Sequence, residues 1–198
     1  MAESRLQHKR HFSHHAVFFR NWLQDPFNVA AVAPSSRWLA KLMATGLRAG
    51  HRVVELGGGT GSFTQAIIDS GVRPRDLYVV EQNSAFVSVL KTRFPASRVV
   101  QADAASLAAH LGALCGSIDY VISGLPLLWF DREKKTRILE EAFALLRLSG
   151  HFHQFTYLGR PPVGGRLLAS LDLKASLIGI APMNLPPAFV YRFERAQA

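Results

Sequence analysis

Glu55, Gly57, Gly59 and Gly61 alternate through VVELGGGTG, residues 53–61, where a short apolar run ends. Glu81 closes the next apolar run, 24 residues after Gly57, and Asp103 follows the third. Glycines at a strand-to-helix turn permit positive φ and let a ligand lie against bare backbone amides. The spacing excludes the dinucleotide fingerprint G-x-G-x-x-G, because Ser62 stands three residues after Gly59 and Thr64 three after Gly61. Acids at three successive strand ends suit a different ligand. They accept hydrogen bonds from ribose hydroxyls and exocyclic amines, and they complement positive charge.

A second constellation lies in ISGLPLLWF, residues 122–130. Ser123-Gly124-Leu125-Pro126 offers a small hydroxyl and a backbone carbonyl, a pair able to hold a neutral amine. The competing reading is a strand end, with the four residues from Leu127 packing the core; for Leu127 and Leu128 packing is the better account. Tyr157 follows a later strand and reads equally as a buried ring or as a group that orients an amine. Neither region requires paired catalytic carboxylates.

These residues need a scaffold that gathers strand ends on one rim. Arg52–Leu56, Leu77–Glu81, Val99–Ala102, Ile118–Ser123 and Gly150–Thr156 are short apolar runs. Helical stretches at 61–70, 84–93, 104–111 and 131–146 separate them. That alternation predicts a parallel sheet covered on both faces. Lys174–Ile180 and Phe189–Glu194 are joined by too few residues for a helical crossover, so they form an antiparallel hairpin. Ser35 or Ser36 caps a helix running to about Thr45. A further helix over 5–24 ends at Asp25-Pro26, giving a terminal segment 1–25 and a domain 26–198.

Charge is uneven. The chain carries a net +9, and residues 1–50 hold seven Lys or Arg against Glu3 and Asp25. Such asymmetry implies an anionic partner, a membrane surface or a nucleic acid. On the 5–24 helix Phe12, Phe18, Phe19 and Trp22 fall on one side, and Lys9, Arg10 and Arg20 on the other, the pattern of an interfacial helix. His8, His11, His14 and His15 crowd the same helix without a third metal ligand nearby, so no metal is expected. A lone Cys115 and an N-terminus without an apolar signal core suit the cytoplasm. No uncharged stretch is long enough to span a bilayer.

From Glu55 to Gly61, with Glu81 and Asp103, the chain resembles the class I, Rossmann-like S-adenosylmethionine-dependent methyltransferases, which have a seven-stranded sheet. By that resemblance Ser35, Glu55, Gly57, Gly59, Thr60, Gly61, Glu81, Gln82, Asp103, Ala104 and Ser123 form the cofactor site, with Glu81 on the ribose and Asp103 on the adenine side. VAAVAPSSRWLAKLM (29–43), VISGLPLL (121–128), QFTYLGRPPV (154–163) and NLPPAFVYRF (184–193) narrow the likeness to the membrane-associating bacterial phospholipid N-methyltransferases. These act on phosphatidylethanolamine, towards phosphatidylcholine, leaving S-adenosylhomocysteine. The resemblance implies a monomer on the cytoplasmic membrane face, Ser123 and Tyr157 as amine-orienting groups, and a membrane rather than a nucleic acid as partner. The alternative is a related RNA adenine N6-methyltransferase. Those enzymes usually show Asn-Leu-Pro-Tyr where this chain has Gly124-Leu125-Pro126-Leu127.

Overall fold

The computed structural model describes residues 34–184 and 186–197. The 5–24 helix, its histidines and the proposed membrane residues Lys9, Arg10, Phe12, Phe18, Phe19, Arg20 and Trp22 lie outside the described residues.

Seven strands form one sheet: β1 (Val53–Leu56), β2 (Leu77–Glu81), β3 (Arg98–Gln101), β4 (Ile118–Ser123), β5 (Leu146–Thr156), β6 (Leu173–Ala181) and β7 (Ala188–Arg195). Their spatial order is β3-β2-β1-β4-β5-β7-β6. The first five are parallel, and β7 runs antiparallel between β5 and β6. The central β1 is buried along its whole length, as a strand covered on both faces must be.

Among the described residues six helices flank the sheet: α1 (Pro34–Met43), α2 (Ser62–Asp69), α3 (Ser84–Arg93), α4 (Ala108–Leu111), α5 (Arg132–Leu145) and α6 (Gly165–Ser170). Leu39 and Met43 of α1, Ile67 of α2 and Leu90 of α3 pack with Val53, Val79 and Ile122 on one face. On the other, Leu111 of α4, Ile138, Leu139 and Ala142 of α5, and Leu167 and Leu168 of α6 meet Val54, Leu56, Val80, Val121 and Phe152. Among the described residues no helix is long and apolar enough to cross a membrane.

Three expectations needed correction. The helix expected from Ala104 begins only at Ala108, because Asp103 spends its carboxylate on the Ala105 N–H (2.9 Å) and its carbonyl on the Ser106 N–H, closing a turn instead. β5 starts at Leu146 rather than Gly150, its pairing with β4 interrupted by a register shift between Ile118 and Tyr120. Leu127 is fully buried but Leu128 only half-buried.

His153 ties α1 to the sheet: its Nδ1–H donates to the Met43 carbonyl at 2.9 Å. Burial pushes the ring's pKa down to about 4, with the Met43 bond opposing the shift. The unfolded chain therefore takes up a proton near pH 6.5 that the folded chain refuses until about pH 4, so stability falls as pH drops through that window. The loss amounts to about 3 kcal/mol at most. Urea titrations at pH 7 and pH 5 should show it as a difference between proteins, His153→Gln gaining stability relative to the wild type at pH 5.

Candidate functional site

The carboxyl ends of the parallel strands share one rim, where ligands of open α/β sheets bind. Leu56, the last residue of β1, leads into the glycine turn, and Gly57, Gly59 and Gly61 all adopt positive φ, at 75°, 52° and 89°. They are glycine for different reasons. A Cβ on Gly58 would collide with Val79 and Leu90, and one on Gly61 with Phe94. Gly57 faces Leu125 of the turn after β4, whose Cδ2 lies 3.0 Å from the Cβ position. At Gly59 a Cβ would meet nothing within 4 Å, so this is the one glycine of the turn that faces open space. The turn is thus part packing device and part cradle.

The bare amides expected there are already used. Gly57 and Gly58 donate to the Val80 carbonyl, Gly61 donates to Gly58, and Gly59 donates to Glu81 Oε2 at 2.9 Å. The turn folds back on β2 and leaves the Cα surface of Gly59 open for a ligand. The uncapped α2 N-terminus starts beside it, its N-cap Gly61 having no side chain to offer.

Glu81 bridges two elements, accepting from Gly59 and, through Oε1, from the Asn83 N–H at 2.8 Å. Each carboxylate oxygen keeps a second lone pair for a ribose hydroxyl. Asp103 stands at the next strand end, bonded to Ala105 and 3.5 Å from Lys134 Nζ. Ala104 belongs to the core. Gln82 is exposed and its carbonyl accepts from Gln101; the Thr60 carbonyl accepts from Arg93. Ser35 lies in the first turn of α1.

Glu55 is the most unusual group. It is fully buried in β1, and its Oε2 accepts from the Thr64 hydroxyl at 2.6 Å while Oε1 has no partner. Desolvation drives its pKa up to about 8, against the opposing effect of Thr64. A buried, orphaned carboxyl oxygen beside an open glycine cradle is a poor structural element and a good acceptor for a cationic ligand. With Glu81 bonded to the same turn, the residues fit S-adenosylmethionine, which carries a sulfonium and an ammonium and has no pyrophosphate.

The other half of the rim is built from β4, β5 and the β6–β7 turn. Ser123 is fully buried, and its Oγ accepts from the Leu125 N–H at 3.3 Å, shaping the Ser123–Pro126 turn from within. Gln154, opposite Ser123 in the β4–β5 pairing, donates from Nε2 to the Leu125 and Phe155 carbonyls, both at 2.9 Å. Its Oε1 is buried without a partner. Tyr157 hydrogen-bonds the Asn184 side chain, and burial holds its pKa above the usual phenol value. Asn184 Oδ1 likewise has no partner. Phe63, Phe155 and Tyr157 form a ladder of edge-to-face rings from α2 across β5.

Sequence reasoning found Ser123 and Tyr157 but missed Thr64, Gln154 and Asn184. The available signal was an amide near the carboxyl end of a strand, and an Asn shortly before two prolines.

The family model for a methyltransferase domain matches residues 53–150. The chain is 32% identical over 182 residues to an ornithine lipid N-methyltransferase of Singulisphaera acidiphila, covering 88% of this chain and 93% of that one. Among solved structures it superposes on a TehB-like methyltransferase from Corynebacterium glutamicum with TM-score 0.63 at 16% identity, over 94% of this chain and 99% of that chain. Magnesium protoporphyrin IX methyltransferase from Synechocystis, solved with bound S-adenosylmethionine, superposes with TM-score 0.61 at 14% identity, covering 81% and 80% of the two chains.

Proposed function

The chain belongs to the class I S-adenosylmethionine-dependent methyltransferases, and from that premise we propose that its acceptor is the primary amine of a membrane lipid, phosphatidylethanolamine first among them. The observation that carries this is the pair of buried, unpartnered oxygens, Gln154 Oε1 and Asn184 Oδ1, on the acceptor half of the rim. A buried acceptor left unpaired costs about 1–3 kcal/mol, which a ligand N–H removes. An amine nitrogen brings such donors. The lipid relative supports a lipid carrier for that amine and favours it over RNA.

Bound in the cradle, S-adenosylmethionine supplies an already activated methyl group on a sulfonium cation. The chain's own work is to hold, dry and orient the acceptor. Glu55, Glu81 and the glycine turn would hold the cofactor, with Asp103 on the adenine side. An amine must be neutral to attack, and a free alkylamine titrates near the lysine value of about 10.4. No carboxylate stands in 122–130, 157–165 or 175–188 to stabilise an ammonium there, and burial lowers its pKa further. Tyr157, kept protonated, orients the nitrogen through its hydroxyl; Ser123 and Gln154 fix the turn that carries the Leu125 carbonyl.

The test is a side-by-side assay of the full chain with labelled cofactor on vesicles containing phosphatidylethanolamine, on vesicles containing ornithine lipid, and on ribosomal RNA. Label in phosphatidylethanolamine is the expected result. Label only in ornithine lipid would move the head group and keep the amine-lipid class, whereas label only in RNA would end the lipid reading.

A further inference from the structure

Four of the six exposed large apolar side chains among the described residues belong to α1, to the edge strand β6 packed beside it and to the turn that follows β6, elements that share one corner of the domain. Trp38 is 57% exposed, Leu177 50%, Ile180 45% and Met183 74%. α1 packs on β6, an edge strand, with Leu42 Cδ1 3.0 Å from the Cβ position of Gly179. Trp38 lies one turn before Leu42 on the same side of that helix. Ile180 follows Gly179 and pairs with Phe189, facing away from α1, and Met183 sits in the turn that ends β6.

The corner belongs to the rim. The C-terminal end of α1 is anchored to His153 in mid-strand, and Gly46 beyond it reaches Tyr120 near the start of β4. The N-terminal half of α1, with Trp38, therefore points to the carboxyl ends of the parallel strands. β6 runs in the direction of β5, so Ile180 and Met183 end there too.

Charge divides the rim in two. The donor half carries Glu55, Glu81 and Asp103. The acceptor half has no Asp or Glu in 34–51, 122–130, 157–165 or 175–188, yet it exposes Arg37 and Lys41 beside Trp38, and Arg160 after Gly159. Gly159 itself lies against the Phe189 ring, its Cβ position 3.7 Å from Cζ. Apolar side chains projecting among cations without acids complement an anionic lipid surface: the ring and thioether enter the acyl boundary while the cations meet phosphates.

We propose that this corner, Trp38, Ile180 and Met183 flanked by Arg37, Lys41 and Arg160, docks the catalytic domain on an anionic bilayer, turning the acceptor half of the rim towards the lipid. The inference rests on the lipid-amine reading above and deepens it: the substrate reaches Gln154 and Tyr157 from the membrane, while the cofactor enters over the acidic half from water.

The experiment uses the full chain with Trp38 as sole tryptophan, through Trp22→Phe and Trp129→Phe. Vesicles of phosphatidylcholine and phosphatidylglycerol are compared with phosphatidylcholine alone. Trp38 emission should shift to the blue and be quenched by brominated lipid, on anionic vesicles only. In the otherwise wild-type chain, Ile180→Ser with Met183→Ser should weaken vesicle affinity about tenfold and leave calorimetric cofactor affinity unchanged. Vesicle binding with Trp38 unmoved would overturn the proposal. So would a Trp38 already shielded from acrylamide in vesicle-free solution. Transfer to detergent-dispersed lipid separates the two readings: retained transfer without Trp38 docking sinks this inference alone, and docking with no transfer to any lipid sinks the substrate reading while supporting the dock.

Discussion

Replacing Glu81 with alanine is expected to abolish cofactor binding. The side chain performs three tasks at once. Its Oε2 holds Gly59, the glycine of the turn that faces open space, and its Oε1 holds Asn83, the N-cap of α3. Its remaining lone pairs would be the acceptors for ribose hydroxyls. Hydrogen bonds to a charged group contribute about 1.5–3 kcal/mol each. Loss of the two ribose bonds alone thus raises the dissociation constant by about 100-fold or more, and release of Gly59 adds to this by loosening the cradle. Glu81→Gln should fall between, since its one amide oxygen can serve only one of the two oxygen positions and its NH2 group accepts from neither backbone N–H. Calorimetry with S-adenosylmethionine measures the effect. Glu81 sits at a strand end rather than in the core, so the variant keeps its cooperative melt. An unchanged affinity would remove Glu81 from the ribose and leave it a purely structural clasp.

The contrast between Glu81 and Gln154 shows what was readable in the residues. Glu81 was visible because a carboxylate closing an apolar run at a fixed distance from a glycine turn is a local pattern. The run Leu77–Glu81 and the strand Ile118–Ser123 were also bounded correctly for local reasons, since β-branched residues stop at Glu81 and at Ser123-Gly124. Gln154 and Asn184 have no such pattern. Their importance appears only when hydrogen bonds are counted across elements far apart in the chain, as with Gln154 to Leu125. The same holds for topology. The hairpin of β6 and β7 followed from its short connection, but the insertion of β7 beside β5 depends on register between residues some 40 apart, Phe152 with Phe193. α6 escaped because six residues opened by Gly164-Gly165 have neither a cap nor a full period. The glycine turn was expected to offer a set of bare amides, and the structure shows those amides bonded within the protein. Composition records that side chains are forbidden, but it does not distinguish a ligand from Val79, Leu90 and Phe94 as the reason.

Cofactor binding should release a proton, and Glu55 should be its source. With its pKa raised to about 8 by burial, Glu55 is mostly neutral at pH 7 when the cradle holds no cation. An ammonium or sulfonium nearby favours the carboxylate and pulls that pKa down. Binding at pH 7 then expels close to one proton, and the apparent affinity rises about tenfold per pH unit from pH 6 towards pH 8 before levelling. Calorimetry in two buffers of different ionisation enthalpy counts the proton directly. Equal heats in both buffers would show that Glu55 keeps its charge state. Stability of the ligand-free chain runs the opposite way. The unfolded carboxyl ionises near pH 4.5 and the folded one near 8, so the Glu55 contribution to stability declines as pH rises between them, by up to about 5 kcal/mol, opposing that of His153. Glu55→Gln keeps the shape and removes the titration: it should flatten that decline, eliminate the released proton, and weaken binding most strongly above pH 8, where only the wild type is charged. A Gln variant that binds as tightly as the wild type at pH 9 would mean that the orphaned oxygen faces no cation, and that β1 carries a buried acid for some other reason.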